Sequence, residues 1–267
     1  MSDKTKDVGF RSPTNQPSSK RGNNYLLAIG IDAYYHCPTL YNAVKDAQDI
    51  VAVLKRRFQF EVDYIQEFYD NDATKANIYK AFNDLADKVT SKDNLIIYFS
   101  GHGEFDKIAK RGHWVPVDAR KGEYHEYIPN TDVKSYLDVI LSHHTFLMVD
   151  SCFAGALFSD NGIRNVNRRE IDSSRWALTS GRNEIVTDGQ ARKNSPFARS
   201  VLKLLNETNV SLGVAKLCDK VLELVAANEL QTPRGEPLQV KGHKGGQFVF
   251  HLKKNEVAGW KLSLIHI

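Results

Sequence analysis

Four short apolar runs constrain this chain most: "NYLLAIGI" (24–31), "NLIIYFS" (94–100), "HHTFLMVDS" (143–151) and "RWALTSG" (175–181). Each is nearly continuous in apolar residues and only as long as one strand. A strand that is apolar on both sides must be covered on both sides, which is the condition of a parallel sheet held between helices. The intervening segments supply those helices. Ala47, Ile50, Val51, Leu54 and Phe58 recur at helical spacing between about Asn42 and Phe58, and a helix capped by Thr74 would bury Ile78, Phe82, Leu85 and Val89. Val133, Tyr136, Leu137, Ile140 and Leu141 mark a third helix, Ser195 followed by Pro196 opens a fourth, and Val214, Leu217, Val221 and Leu224 belong to a fifth. "EVDYIQEF" (61–68) alternates like a strand nearer an edge, "GHWVPVDA" is expected to form a hairpin, and "GQFVFHL" (246–252) to close the sheet. The expected fold is α/β, a six-stranded, mostly parallel sheet with helices on both faces. It would occupy residues 24–254, with 1–23 as a flexible tail and 255–267 as an extension of unassigned role.

Composition narrows the partners. A dispersed net charge of +4 over 267 residues gives no basic stripe, so no nucleic-acid partner is expected. No apolar run reaches the length of a membrane span, and "MSDKTKDVGF" lacks the apolar centre of a signal peptide. The expectation is a cytoplasmic protein with no membrane contact. Three scattered cysteines, Cys37, Cys152 and Cys218, suit neither a disulfide framework nor a zinc site. Packing accounts for Cys37 in a loop before Pro38 and for Cys218 in an amphipathic helix. Cys152 stands at a strand end.

Parallel sheets place their chemistry at the carboxyl ends of the strands. Two of those ends are chemically loaded: "SGHG", with His102, and "VDSC", with Asp150, Ser151 and Cys152. A lone histidine or cysteine is ordinary, but consecutive parallel strands are usually neighbours, which would set these two face to face. An imidazole beside a thiol raises the thiolate fraction or delivers a proton to a leaving group. Gly101 and Gly103 allow sharp turns, the amides of Gly103 and Cys152 suit an oxyanion, and Ala154 and Gly155 keep the ground beside the thiol open.

"YFSGHGE" and "LMVDSCFAG", placed so that fifty residues separate His102 from Cys152, resemble the caspase-like cysteine proteases, metacaspases and bacterial caspase homologues more than animal caspases. The resemblance runs over about 24–254 and includes "LLAIGIDAY", "NAVKDAQDI", "ALTSGRNE" and "GGQFVF". It implies a catalytic dyad of Cys152 and His102, an oxyanion hole at Gly103 and Cys152, and hydrolysis after one particular residue. Caspases select aspartate with arginine; near Leu40, where the first such arginine would fall, there is none. Metacaspases use carboxylates, and the corresponding positions hold Asp46 and Asp150, with Ser100 beside them, which implies an Arg or Lys at P1. The plainer account puts Asp46 on the solvent side of its helix and Asp150 on local backbone amides. The alternatives are an Asp-specific enzyme, a non-catalytic interaction module of this fold, and a nucleotide-binding domain, for which the Gly-rich phosphate loop is missing.

The polar segment 159–175 contains Arg164, Arg168, Arg169 and Arg175, which makes it either a self-cleavage site or a solvated loop. No cofactor is needed for the dyad. Calcium activation has candidate acids in Asp118, Asp132 and Asp160, without compact ligand spacing. The expected partners are a protein or peptide substrate and a separate activator protein. A monomer is favoured over a dimer paired through the last strand, and the resemblance suggests bacterial defence or regulated cell death.

Overall fold

In the computed structural model, which describes residues 22–158, 169–181, 193–226 and 232–254, the apolar runs become adjacent strands. Strands are labelled in chain order. β1 (Asn24–Gly30), β2 (Ile65–Tyr69), β3 (Asn94–Ser100), β7 (His144–Asp150), β8 (Ser174–Thr179) and β10 (Arg234–Pro237) form a six-stranded sheet in the order β10-β8-β7-β3-β1-β2. All its pairings are parallel except that of β10 with β8. A small three-stranded sheet of β4 (Gly103–Asp106), β5 (Arg111–Trp114) and β6 (Ile128–Pro129) stands after β3, and β9 (Leu212–Gly213) pairs with β11 (Val249–Phe250).

The two-residue period of a strand sorts the apolar runs between two cores. Leu26, Ala28, Ile96, Tyr98, Phe146, Met148, Trp176 and Leu178 face a core shared with α1 (Ala43–Arg57), α4 (Pro196–Glu207) and α5 (Val214–Ala226). Their neighbours Leu27, Ile29, Leu95, Ile97, Phe99, Leu147, Val149 and Ala177 face the other core, shared with α2 (Lys75–Lys88) and α3 (Asn130–Val139). Helices therefore cover both faces, as the strand pattern requires.

Local signals hold at the helix starts. Thr74 accepts from the Asn77 amide at 3.2 Å and Ser195 from the Ala198 amide at 3.0 Å, with Pro196 in the first turn of α4. α1 and α4 run side by side and are tied at their far ends by buried Arg57. Its guanidinium donates to the carbonyls of Leu205 and Thr208, each at 2.7 Å, and to that of Asn206. These are the carbonyls that a helix end leaves without partners.

Several sequence expectations are corrected. "GQFVFHL" does not close the main sheet. Its Phe248, Phe250 and Leu252 are buried against the α1 side, and Phe250 meets Phe58 at 5.5 Å between ring centroids. The sixth strand is instead the polar "RGEP" of β10, tolerated because an edge strand needs partners on one side only and Pro237 ends it. The edges of the main sheet are thus β10 and β2, and 246–252 is neither. In the hairpin after His102, residues 103–106 pair with 111–114. Strand β2 starts only at Ile65, after a 3-10 turn over Val62–Tyr64, and Leu141 lies beyond α3, 65% exposed. Arg175 belongs to β8 and is 4% exposed, donating to the carbonyls of Ser174 (2.8 Å) and Ser142 (3.0 Å). The proposed tail, its first 21 residues, and the extension 255–267 lie outside the described residues. Among the described residues no helix is long and apolar enough to cross a membrane.

Candidate active site

Register brings the two loaded strand ends together. β3 and β7 pair with Ser100 opposite Asp150, and the Gly101 amide donates to the Asp150 carbonyl at 3.2 Å. Beyond this last rung the chains diverge into the turns that carry His102 and Cys152. Gly103 lies so close to the backbone of Cys152 that a Cβ there would stand 2.1 Å from the Cys152 carbonyl oxygen, so any other residue would force the backbone to shift. Phe153 follows Cys152 in the left-handed region at φ 58°, a strain of about 1 kcal/mol or more that makes the chain turn sharply at the end of β7. Its ring packs near Phe105 of the hairpin, 5.9 Å between centroids.

His102 is fixed by backbone and by an aromatic ring. Its Nε2 lies 2.7 Å from the Pro38 carbonyl oxygen. A carbonyl can only accept, so Nε2 carries the hydrogen and Nδ1 is the nitrogen left to exchange a proton. The His102 amide donates to the Tyr34 hydroxyl at 2.7 Å, and the two rings lie 4.7 Å apart. Burial pushes the Tyr34 phenol well up, so it stays neutral. The loop that holds Pro38 is itself anchored: Asp70 accepts from the amides of Asp32 and Ala33, each at 2.8 Å, and Asp32 accepts from the Ala43 amide at 2.8 Å to start α1. Sequence reasoning missed Tyr34, Pro38, Asp32 and Asp70, because a carbonyl partner and a long-range carboxylate leave no motif.

The three proposed pocket residues converge. Strand alternation continues past Tyr98 and Met148 to put Ser100 and Asp150 on the α1 and α4 face, where they are 3% and 6% exposed. Asp46 in the first turn of α1 is 0% exposed, which rules out the solvent-side placement. The residues entering α4 join them. The Ser195 amide donates to both Asp46 carboxylate oxygens at 3.2 Å, and the Asn194 amide group to Asp46 at 2.9 Å and Asp49 at 2.8 Å. The Ser195 hydroxyl donates to Asp150 at 2.5 Å. Burial, and then the charge of Asp150, push the Asp46 carboxyl up to about 8, against the pull of the Asn194 and Ser195 donors. Ser195 was legible only as a helix cap, and Asn194 not at all.

The remaining candidates scatter. Arg169 is exposed and paired with Asp172, whereas Arg164, Arg168 and Asp160 lie outside the described residues. Asp118 accepts from the Lys75 amide at the start of α2, and Asp132 from the Tyr79 hydroxyl. Among the described residues no group of three or more His, Cys, Asp or Glu side chains is placed to hold a metal ion.

Comparison with known proteins agrees with this fold. The family model "Caspase domain" of the C14 peptidases matches residues 23–253. Metacaspase-1 of Meyerozyma guilliermondii is 29% identical over 105 residues, which is 37% of this chain and 26% of the relative, so the match spans about a quarter of that protein. A crystal structure of a Geobacter sulfurreducens protein superposes with a TM-score of 0.62 at 14% identity, covering 85% of this chain and 99% of the other, a likeness of fold.

Proposed function

The chain belongs to the caspase-domain family of C14 peptidases, and on that premise we propose that it is a cysteine endopeptidase cutting after arginine or lysine. The thiolate of Cys152 attacks the scissile carbonyl carbon. Nδ1 of His102, left for proton exchange by the bond from Nε2 to Pro38, receives the thiol proton and passes it to the departing amine. Water then releases the acyl group from sulfur. The amides of Gly103 and Cys152 hold the oxyanion, for which a side chain at position 103 would leave no room.

The observation that supports the specificity is the buried carboxyl pair of Asp46 on α1 and Asp150 at the end of β7, two residues before Cys152. Two buried carboxyls repel, and a cation between them favours the doubly anionic form beyond what the Asn194 and Ser195 donors supply. A P1 guanidinium or ammonium supplies it, whereas an aspartate there would add a third negative charge. Fluorogenic peptides ending in Arg, Lys and Asp, assayed in parallel, test this reading, and faster cleavage after Asp removes it. A peptidyl chloromethyl ketone should label the wild type and not Cys152→Ala; equal labelling of both would leave the interaction-module alternative.

Self-processing is proposed within 159–175 at exposed Arg169 or in the stretch before it, and not at buried Arg175. We further propose a monomer in the cytoplasm that requires no cofactor, acts on protein or peptide substrates, and answers to a separate activator in bacterial defence or regulated cell death.

A further inference from the structure

Ser195 makes four hydrogen bonds at one point. Its amide donates to both oxygens of Asp46, its hydroxyl donates to Asp150, and the same hydroxyl accepts from the Ala198 amide to cap α4. Asp46 comes from α1 and Asp150 from β7, and Ser195, which bonds both carboxylates, belongs to neither element. We infer that Ser195 is the positioning residue that holds Asp46 and Asp150 as a single cation-accepting pair, so that selection of a basic P1 side chain depends on the entry to α4.

The inference rests on the proposed preference for basic residues. The groups that face the pair are Tyr98 from β3, Asn194 and Ser195 at the start of α4, and Asp49 with its partner Lys45 on α1. The hydroxyl of Ser195 is the donor that can be removed without deleting a charge. Losing it leaves Asp150 less able to remain an anion beside Asp46, so the pocket accepts a cation less readily.

The measurement is the ratio of kcat/KM for a peptide ending in arginine to that for the same peptide ending in citrulline, its neutral near-isostere, followed from pH 5.5 to 9. Ser195→Gly keeps most of the helix-capping tolerance and removes the hydroxyl. The ratio is expected to fall about 10- to 100-fold, the usual worth of one hydrogen bond to a charged group, mainly through KM, and its rise with pH to move to higher pH. Ser195→Thr should restore both. Ser195→Ala serves if the glycine variant does not fold. Binding of agmatine to these variants in a Cys152→Ala background, read by calorimetry, should weaken in the same order without any turnover. An unchanged ratio and pH dependence in the hydroxyl-free variant overturns the inference and leaves the basic specificity standing. A wild type that does not prefer arginine to citrulline overturns the specificity itself, and the inference with it.

Discussion

Asp46 has one effect on the empty fold and, under the proposed specificity, the opposite effect on the occupied site. An unfolded aspartate titrates near 4, whereas in the fold burial and Asp150 push Asp46 up to about 8. Between those values the folded chain binds the extra proton, so stability falls as pH rises from about 4 to about 8. Asp46→Asn lacks this loss. Its melting temperature relative to wild type should therefore climb between pH 5 and 8.5 in scanning calorimetry, and a difference that does not change with pH would refute the placement. Under the proposed preference for a basic P1 residue the sign reverses in catalysis, because a bound cation favours the anion. The arginine-to-citrulline ratio of the wild type should rise with pH and level off above about 8, and Asp46→Asn should flatten it. Gly103 offers a steric test. An alanine Cβ would fall 2.1 Å from the Cys152 carbonyl oxygen, and a displacement of that order at the nucleophile costs about 100-fold in rate. Gly103→Ala should lose that much kcat/KM while its circular dichroism remains that of the wild type.

Among the elements, those read best from sequence are the ones whose burial is two-sided. β1, β3, β7 and β8 are covered by both cores, so their composition alone specifies them. β10 is not: it lies at the edge, its four residues include Gly, Glu and Pro, and its place is set by contact with α5, where a Cβ on Gly235 would press on Cys218. β11 failed in the other direction, since Phe248 and Phe250 alternate like core residues but pack beside α1. The neighbouring positions of His102 and Cys152 were legible because each follows a two-sided strand. The contact between the entry to α4 and the carboxylates was not, since Ser195 reaches Asp46 across 149 positions. The α1 and α4 pairing can be tested at its far end. Arg57→Ala removes a charged donor from three α4-end carbonyls, and should destabilise the fold by about 2–4 kcal/mol in urea titration, weakening arginine peptides more than citrulline ones if the two helices hold the pocket jointly.

On the scale of the molecule, chemistry is gathered at one end of the sheet, and segment 159–175 leads from Cys152 at that end to the start of β8. Arg175 is locked in the opening of β8 by carbonyls of Ser142 and Ser174. Intact-mass analysis of wild type against Cys152→Ala should place any activity-dependent cut before Arg175, and a cut after Arg175 in folded protein would contradict its burial.

The acceptor that orients His102 is the main-chain oxygen of Pro38. Every amino acid carries that oxygen, so substitution at position 38 changes how firmly it is held but never deletes it. Under the proposed mechanism an alanine scan would accordingly count two indispensable groups where three act together, and the third would emerge only from changes that let its loop drift, such as removal of the Asp70 carboxylate that ties down Asp32 and Ala33.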